Sequence, residues 1–326
     1  MRIALDGMGG DNAPEQIIQG AALAMGELGV EVTVVGLPEQ IEPHLKHYSG
    51  LKFLPASQVV GMDEHPSSAV RSKPDSSMAV CARLVQEGKA EAWVSAGNSG
   101  AVMATGLLVQ GRIRGVERPA LGSILPTLEQ PCYFLDIGAN VDSKPEYLIQ
   151  FARMGSLFSS QVMGRNRPRV ALLANAEEDG KGNQLLRAVN QRLREQGDGL
   201  NFIGNIEPQA MVHGAADVVV ADGLLGNVTI KMAEAAVEMI LTALRREVPR
   251  TIAGKVGGVL ISSAVRRIRQ QLDWREYGGA PLMGINGVAV VAHGRSDARA
   301  IRSAIRVAMQ TSEAGLGQSI REALAA

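Results

Sequence analysis

Small polar residues recur in this sequence directly after short apolar stretches, and their types and spacing could do chemistry. The clearest set follows apolar residues 92–94 and consists of Ser95, Ala96, Gly97, Asn98, Ser99 and Gly100. Residues this small let a ligand approach the backbone closely, so N–H groups could hold a phosphate or an oxyanion. The set lacks the Lys-Ser/Thr ending of an ATP-binding loop and the Gly-x-Ser-x-Gly pattern of a hydrolase nucleophile.

A second glycine-rich set lies near the start of the chain, where residues 6–12 read Asp-Gly-Met-Gly-Gly-Asp-Asn. It is similar to a dinucleotide-binding fingerprint, but Asn12 stands where the third glycine is required. Two interpretations stay open. The segment is either a tight turn from a strand into a helix, or a ligand-binding loop that uses Gly9, Gly10 and Asp11.

Three further loops offer charged or amide side chains. The candidate residues in them are Asn140, Lys181, Asp222, Gly226 and Asn227. Lys181 lies between two glycines, where its ammonium could neutralise phosphate or could simply be solvated. The acidic run 177–179 is weak evidence for a metal, and we predict no metal site. His293 follows apolar residues 288–291, and its default interpretation is a buried, hydrogen-bonded histidine. The alternative is a histidine that faces the cleft and polarises a carbonyl or holds phosphate.

Composition limits the function classes. The chain has 326 residues, of which 46% are hydrophobic, and its 33 basic and 33 acidic residues cancel. A disordered chain and a dedicated nucleic-acid binder are therefore excluded as expectations. The two cysteines indicate a reducing compartment. No targeting segment and no apolar run of about 18 residues is present, so we expect a cytoplasmic protein with at most peripheral membrane contact.

The loops imply the elements that position them. Predicted strands at 2–5, 32–35, 92–94, 132–135, 169–173 and 217–221 alternate with predicted helices that run to about Gly29 and Val109, from Pro145, and to about Glu247. This alternation is typical of an α/β fold with a largely parallel sheet covered on both faces. Ligands bind beyond the carboxyl ends of such strands, so several loops could converge on one cleft. We expect one domain over 1–326, with a possible seam between two subdomains near 118–131.

The segment 245–275 is basic and amphipathic. Its basic residues include Arg266, Arg267 and Arg269, and its apolar residues include Leu260 and Ile261. A surface helix docked on its own core is the favoured interpretation in isolation. The alternative is contact with an anionic membrane or an acidic partner.

Taken together and in order, these motifs resemble the bacterial phosphate acyltransferase family PlsX, the acyl-[acyl-carrier-protein]–phosphate acyltransferases. The similar segments are 6–11, 95–101, 136–142, 177–183, 222–231 and 277–294. This sequence departs from the family pattern at Gly7, at Ser99, at 174–176 and at 224–225. The last two departures leave the acyl-chain preference open.

The resemblance implies a reaction: long-chain acyl-carrier protein and inorganic phosphate give acyl phosphate and free carrier protein, early in phospholipid synthesis. It also implies a homodimer, no cofactor, and a product passed to the membrane glycerol-3-phosphate acyltransferase. The implied fold is a three-layer α/β/α architecture similar to isocitrate and isopropylmalate dehydrogenases and phosphotransacetylases. No nucleic-acid partner is expected.

On this basis the loops receive roles. The residues 97–100 are expected to bind phosphate or the oxyanion, Lys181 and Asn227 to orient and neutralise phosphate, and His293 or Asp222 to hold a partner in place. An acidic carrier protein needs a basic docking surface, formed either by Arg112, Arg114 and Arg118 or by Arg266, Arg267 and Arg269. The rival functions are a phosphotransacetylase using acetyl-coenzyme A, an NAD-dependent hydroxy-acid dehydrogenase, and a membrane-associated scaffold.

Overall fold

The fold is an α/β architecture around one large mixed sheet, seen in a computed structural model that describes residues 1–195 and 199–325. The strands of the described residues are β1 Arg2–Asp6, β2 Glu31–Gly36, β3 Lys52–Pro55, β4 Ala92–Ser95, β5 Ala120–Leu125, β6 Cys132–Leu135, β7 Arg169–Leu173, β8 Asn201–Ile206, β9 Val218–Val220, β10 Ala280–Met283 and β11 Val288–Val291. They pair in the order β3-β2-β1-β4-β11-β10-β5-β6-β9-β7-β8.

Helices connect most of these strands. They are α1 Glu15–Leu28, α2 Pro38–Leu45, α3 Pro66–Ser72, α4 Ser77–Gln86, α5 Ser99–Thr105, α6 Pro145–Gln161, α7 Gln184–Glu195, α8 Pro208–Val212, α9 Gly223–Glu247, α10 Ile252–Gln271, α11 Trp274–Tyr277, α12 Ala298–Glu313 and α13 Leu316–Ala325. A π-helical turn, Gly106–Gln110, continues α5, and a 3₁₀ turn, Val248–Arg250, joins α9 to α10. The strand–loop–helix units that the sequence predicts are therefore confirmed.

Alternate residues of a strand enter different cores, which makes the fold three layers thick. On β1, Ile3 and Leu5 pack with Ile17 of α1 and Ile301 of α12, whereas Ala4 packs with a cluster on the other face that includes residues of α4 and α5. On β6, the residues Tyr133 and Leu135 join Phe151 of α6, and Cys132 and Phe134 join Met211 of α8. Because side chains alternate along a strand, both faces of the sheet are covered by helices.

Strand direction reverses in the middle of the sheet. The strands β3, β2, β1, β4 and β11 run parallel, β10 is antiparallel to both β11 and β5, and β5 is antiparallel to β6. From β6 onward, β9, β7 and β8 are again parallel to one another. The carboxyl ends of β6, β9 and β7 therefore point to the opposite edge from those of β1, β4 and β11. Part of the range expected as a seam is β5 itself, and a division into subdomains stays a prediction.

The helices α9 and α10 form a hairpin that does not dock on the core. In α9 only Gly223 and Gly226 are buried, and α10 has no buried residue. Leu260 is 77% exposed and Ile261 is 48% exposed, and the arginines 266, 267 and 269 are also exposed. The favoured interpretation of 245–275 as a helix docked on its own core is thus wrong for this chain. Among the described residues, no helix has the length and apolar character to cross a bilayer.

Candidate active site

The predicted site residues fall into two groups because of the strand reversal. The first loop group comprises residues 6–12, 95–101 and 292–296, which follow β1, β4 and β11. The second loop group comprises residues 136–142, 174–183 and 222–227, which follow β6, β7 and β9. The expectation that several loops meet holds for the three loops of the first group and for loops 136–142 and 222–227 of the second, but the loops do not all lie at one sheet edge.

In the first loop group, backbones approach so closely that side chains are excluded. A Cβ on Gly9 would lie 2.5 Å from the amide nitrogen of Gly97, and one on Gly10 would lie 2.9 Å from the carbonyl oxygen of Gly294. Gly10 also has φ +96°, which favours glycine. The Asp11 N–H donates to Gly294 O at 2.8 Å. Glycines are therefore needed here to bring three loops into contact.

Asp6 links the loop 6–12 to the loop 95–101. Its buried carboxylate accepts the Ser95 hydroxyl at 2.6 Å and the Met8 N–H at 3.1 Å, and Ser95 Oγ accepts the Gly97 N–H at 3.1 Å. Burial raises the pKa of Asp6, and the hydrogen bonds from serine hydroxyls oppose that shift. Ser95 is fully buried, so it fixes the loop. Ser95 is therefore a positioning residue of the candidate site.

Asn98 uses its amide to hold structure together. Its Oδ1 accepts the Ala101 N–H at 3.1 Å and so caps α5, while Nδ2 donates to the carbonyls of Met62 at 2.9 Å and Glu64 at 3.2 Å. Both amide hydrogens are therefore taken, which favours a positioning role over the expected direct contact with substrate. The following residues, Ser99 and Gly100, open α5.

His293 is exposed and has a defined orientation. The Arg295 N–H donates to His293 Nδ1 at 3.2 Å, so the neutral ring carries its proton on Nε2. The ring lies against the indole of Trp274 in α11, with centroids 5.0 Å apart. Nε2 has no hydrogen-bond partner among the described residues, and the default interpretation of a buried histidine is wrong because the side chain is exposed.

Asp136 organises the second loop group. Its Oδ1 accepts N–H bonds from Leu121, Gly138 and Ala139 at 2.9–3.1 Å, and its Oδ2 accepts both the backbone N–H and the side-chain Nδ2 of Asn140 at 2.8 Å. Burial raises the pKa of Asp136, and these bonds oppose the rise. Asn140 Nδ2 also donates to the carbonyl of Pro119 at 2.8 Å. Asn140 therefore anchors the loop, and its side-chain amide points at protein atoms.

The N-terminus of α9 packs directly on this loop. A Cβ on Gly226 would lie 1.8 Å from Asp136 O, and one on Gly223 would lie 2.5 Å from Asn140 O. Gly223 N–H donates to Asn140 O at 2.9 Å. Asp222 caps the helix, because its Oδ1 accepts the Leu225 N–H at 3.0 Å. Asp222 is thus a capping residue. Glycine is needed at position 226 because α9 approaches the backbone of Asp136 there.

Two polar side chains of the second loop group have no partner in the part of the chain that the structure describes. Asn227, half-buried in the first turns of α9, lies beside Gly138, and Lys181 is exposed on the loop after β7. Asn227 stands at the positive, N-terminal end of the 25-residue helix α9. An amide at a helix N-terminus suits a small anion, and the ammonium of Lys181 follows β7, the strand paired with β9.

The two groups share one apolar cluster. Ala101 and Val102 of α5, which begins in the first loop group, belong to a cluster against which Ile137 and Ala139 of the second loop group pack. The acidic run expected as a weak metal candidate is used in the fold, since Asp179 bonds Arg194 at 2.7 Å and Asn190 at 3.0 Å.

Other nucleophiles and ligands can be assessed from burial. Both cysteines are buried, and burial raises the pKa of Cys132 to about 12 and that of Cys81 well above its usual range. Neither is a thiolate at neutral pH. Within residues 1–195 and 199–325, no three His, Cys, Asp or Glu side chains come together as they do around a metal ion.

Sequence reasoning missed Asp6, Asp136 and Trp274. A signal existed for the two aspartates, because each ends an apolar strand directly before a glycine-containing loop. Nothing in the sequence pairs Trp274 with His293.

Comparison with known proteins extends this picture. The family model described as fatty acid synthesis protein matches residues 1–318. A phosphate acyltransferase of Heliobacterium modesticaldum is 47% identical over 99% of this chain and 97% of its own length. One of Cyanothece sp. is 46% identical over 95% of this chain and 91% of its own length.

Solved structures with little sequence identity share the fold. A phosphotransacetylase from Streptococcus pyogenes superposes with a TM-score of 0.65 at 14% identity, covering 96% of this chain and 94% of that one. A 4-hydroxythreonine-4-phosphate dehydrogenase from Klebsiella pneumoniae gives 0.56 at 16% identity, covering 96% and 99%. The fold expectation is confirmed. Together with full-length relatives well above 40% identity, the matches show that this chain belongs to the phosphate acyltransferase family and is an enzyme of acyl transfer to or from phosphate.

Proposed function

We propose that this enzyme transfers a long-chain acyl group from acyl-carrier protein to inorganic phosphate, giving acyl phosphate for phospholipid synthesis. Family membership supports the acyl transfer. The observation that carries the assignment of the phosphate is the second loop group, where Asn227 in the first turns of α9 and Lys181 on the loop after the neighbouring strand β7 have no partner among the described residues. These groups are free to orient and neutralise a multiply charged nucleophile.

The chemistry needs no activated side-chain nucleophile. A phosphate oxygen attacks the thioester carbonyl carbon, a C–O bond forms, and the carbonyl oxygen gains the negative charge. The C–S bond then breaks and the thiolate leaves on the pantetheine arm. The two loop groups approach each other where Ile137 and Ala139 pack against the cluster that contains Ala101 and Val102, so an acyl group between them can face both. The tetrahedral oxyanion is then stabilised by His293 Nε2–H and by N–H groups of the first loop group, while Asp6, Ser95 and Asn98 hold those groups in place. No cofactor enters these steps.

The test is phosphate-dependent thiol release from palmitoyl-carrier protein, with acetyl-coenzyme A assayed in parallel. Radiolabelled phosphate identifies the acyl phosphate. We expect release from the long-chain substrate only when phosphate is present. Release from acetyl-coenzyme A alone would replace this proposal with a phosphotransacetylase activity, and release from neither would refute it.

We further propose that the enzyme is a cytoplasmic homodimer with peripheral membrane contact through the α9–α10 hairpin, which brings acyl phosphate to the membrane glycerol-3-phosphate acyltransferase. The support is an apolar surface on α10, where Ile252, Val259 and Leu260 are 84%, 74% and 77% exposed beside arginines. Anionic lipid attracts such a surface through charge and apolar burial. Sedimentation with anionic and with zwitterionic vesicles tests the contact, and light scattering tests the dimer.

A further inference from the structure

A cavity of about 400 Å³ lies outside both loop groups and is lined by Leu107, Arg112, Glu117, Arg118, Pro119 and Tyr147. Its residues come from the π-helical turn, from the loop before β5 and from the start of α6. The volume is within the range of small-molecule sites. Two guanidiniums against one carboxylate give the lining a net positive charge.

Arg118 is free to bind a ligand. Its guanidinium is exposed and has no hydrogen-bond or ion-pair partner anywhere in the described chain. Arg112, by contrast, donates to the carbonyl of Glu117. The hydroxyl of Tyr147, a residue that is half-buried, has no partner there either. A guanidinium and a phenol in one cavity lining offer N–H and O–H donors of the kind that phosphate oxygens accept.

The loop that carries these groups is held rigid by side-chain amides from three different elements. Gln150 of α6 accepts the Glu117 N–H at 2.8 Å and donates to Gly115 O at 2.9 Å. Asn286 Nδ2 donates to Arg112 O at 2.9 Å. Asn140 Nδ2 donates to Pro119 O at 2.8 Å. A charge held on a preorganised loop binds its ligand without a large ordering cost.

The hydrogen bond from Asn140 also shows where the cavity lies relative to the second loop group. Asn140 belongs to the second loop group and bonds Pro119, a cavity wall, while Asp136 accepts the Leu121 N–H two residues further on. The cavity is therefore joined by one hydrogen bond to the loops proposed to bind inorganic phosphate. A substrate anchored in the cavity by a phosphate ester can extend along this wall toward those loops.

We propose that this cavity binds the phosphate ester of the phosphopantetheine arm that carries the acyl thioester, with Arg118 and Tyr147 as its donors and Leu107 against the apolar part of the arm. This inference rests on the proposed function, because it assumes a thioester on such an arm. The ester is a separate phosphate from the nucleophile, and it takes no part in bond making.

The experiment measures binding rather than turnover, so its outcome is distinguishable from failure of the proposed reaction. Calorimetry compares 4′-phosphopantetheine, pantetheine and inorganic phosphate on the full-length protein. We expect phosphopantetheine to bind at least about tenfold more tightly than pantetheine, equivalent to about 1.4 kcal/mol. Arg118→Ala should abolish that difference, and Glu117→Gln should widen it because it removes the acidic group of the lining.

Arg71→Ala is the matched control, because Arg71 is an exposed arginine of α3 outside both loop groups and outside the cavity lining. It should keep the wild-type difference between the two ligands. A second readout is kinetic: Arg118→Ala should raise the KM for palmitoyl-carrier protein about tenfold and leave kcat and the KM for phosphate unchanged. Equal affinity of the wild type for phosphopantetheine and pantetheine overturns the proposal. The proposal is also overturned if inorganic phosphate binds as tightly as phosphopantetheine and Arg118→Ala removes that binding, because the cavity is then a site for the free ion.

Discussion

The carboxyl groups of Asp6 and Asp136 stand at equivalent places, each at the end of a strand, yet they should respond differently to the same substitution. Asp136 accepts five N–H bonds, three on one oxygen and two on the other. Asparagine at this position must turn its NH₂ group toward at least two N–H donors. Asp6 accepts one N–H and the hydroxyls of Ser95 and Ser77, and a hydroxyl can reverse its role from donor to acceptor.

The magnitude follows from these partners. A hydrogen bond to a charged group contributes about 1.5–3 kcal/mol, so two lost bonds are about 3–6 kcal/mol, partly offset by removal of a buried charge. We expect Asp136→Asn to lower the free energy of unfolding by about 3 kcal/mol and Asp6→Asn by about 1 kcal/mol or less. Urea unfolding followed by circular dichroism at pH 7 measures both. Equal losses, or a larger loss for Asp6→Asn, would refute the reasoning from donor count.

Three further predictions concern turnover, membrane contact and pH. Lys181→Ala and Asn227→Ala should each lower kcat/KM about 10²-fold, because each removes a group that positions or neutralises phosphate, as steady-state kinetics would show. The pair Leu260→Ser and Arg267→Glu should each lower binding to anionic vesicles at least about tenfold, from lost apolar burial or reversed charge, in a sedimentation assay. Burial raises the pKa of Asp6 in the folded state above that of the unfolded chain. Its contribution to stability is therefore fully present below about pH 4 and is lost as pH rises through the folded-state pKa. As pH rises through that pKa, the free energy of unfolding of Asp6→Asn should increase relative to that of the wild type, as urea unfolding would show.

Controls for these variants come from the same chain. Lys46→Ala removes an exposed lysine that belongs to neither loop group and should leave kcat/KM unchanged. Leu128→Ser changes a leucine that is 65% exposed outside the hairpin and should leave vesicle binding unchanged. A loss of turnover in Lys46→Ala would mean that general charge drives the rate. A stability difference between Asp6→Asn and wild type that is constant with pH would contradict the raised pKa.

The local units of the fold were predictable because their signals are local. The start of α6 at Pro145 follows from helix-start preferences, and the β6 boundaries match a short apolar run. The reversal of strand direction was not predictable. It depends on β5 and β10, which pair with each other across more than 150 residues and carry no distinctive alternation.

In the candidate site, too, some features were predictable from the sequence and others were not. Glycine-rich loops reveal close backbone approach, so Gly9, Gly10 and Gly226 could be singled out from the sequence alone. Side-chain partners depend on the fold, so the capping roles of Asn98 and Asp222 could not. The exposed state of α10 was equally hidden, since an amphipathic period is the same whether the apolar stripe meets a core, a membrane or a partner.

The contact between Trp274 and His293 gives the protein an optical readout of its own. The chain has two tryptophans, and the other, Trp93, is fully buried with its indole N–H bonded to Gln110 at 2.9 Å. Trp274 follows the end of α10 by a few residues, and the hydroxyl of Tyr277 in the same turn donates to Gln271 O at 2.6 Å, at the last residue of that helix. Trp93 therefore supplies a constant emission background. A change in fluorescence on adding vesicles or acyl thioester reports movement where the hairpin meets His293, without any label.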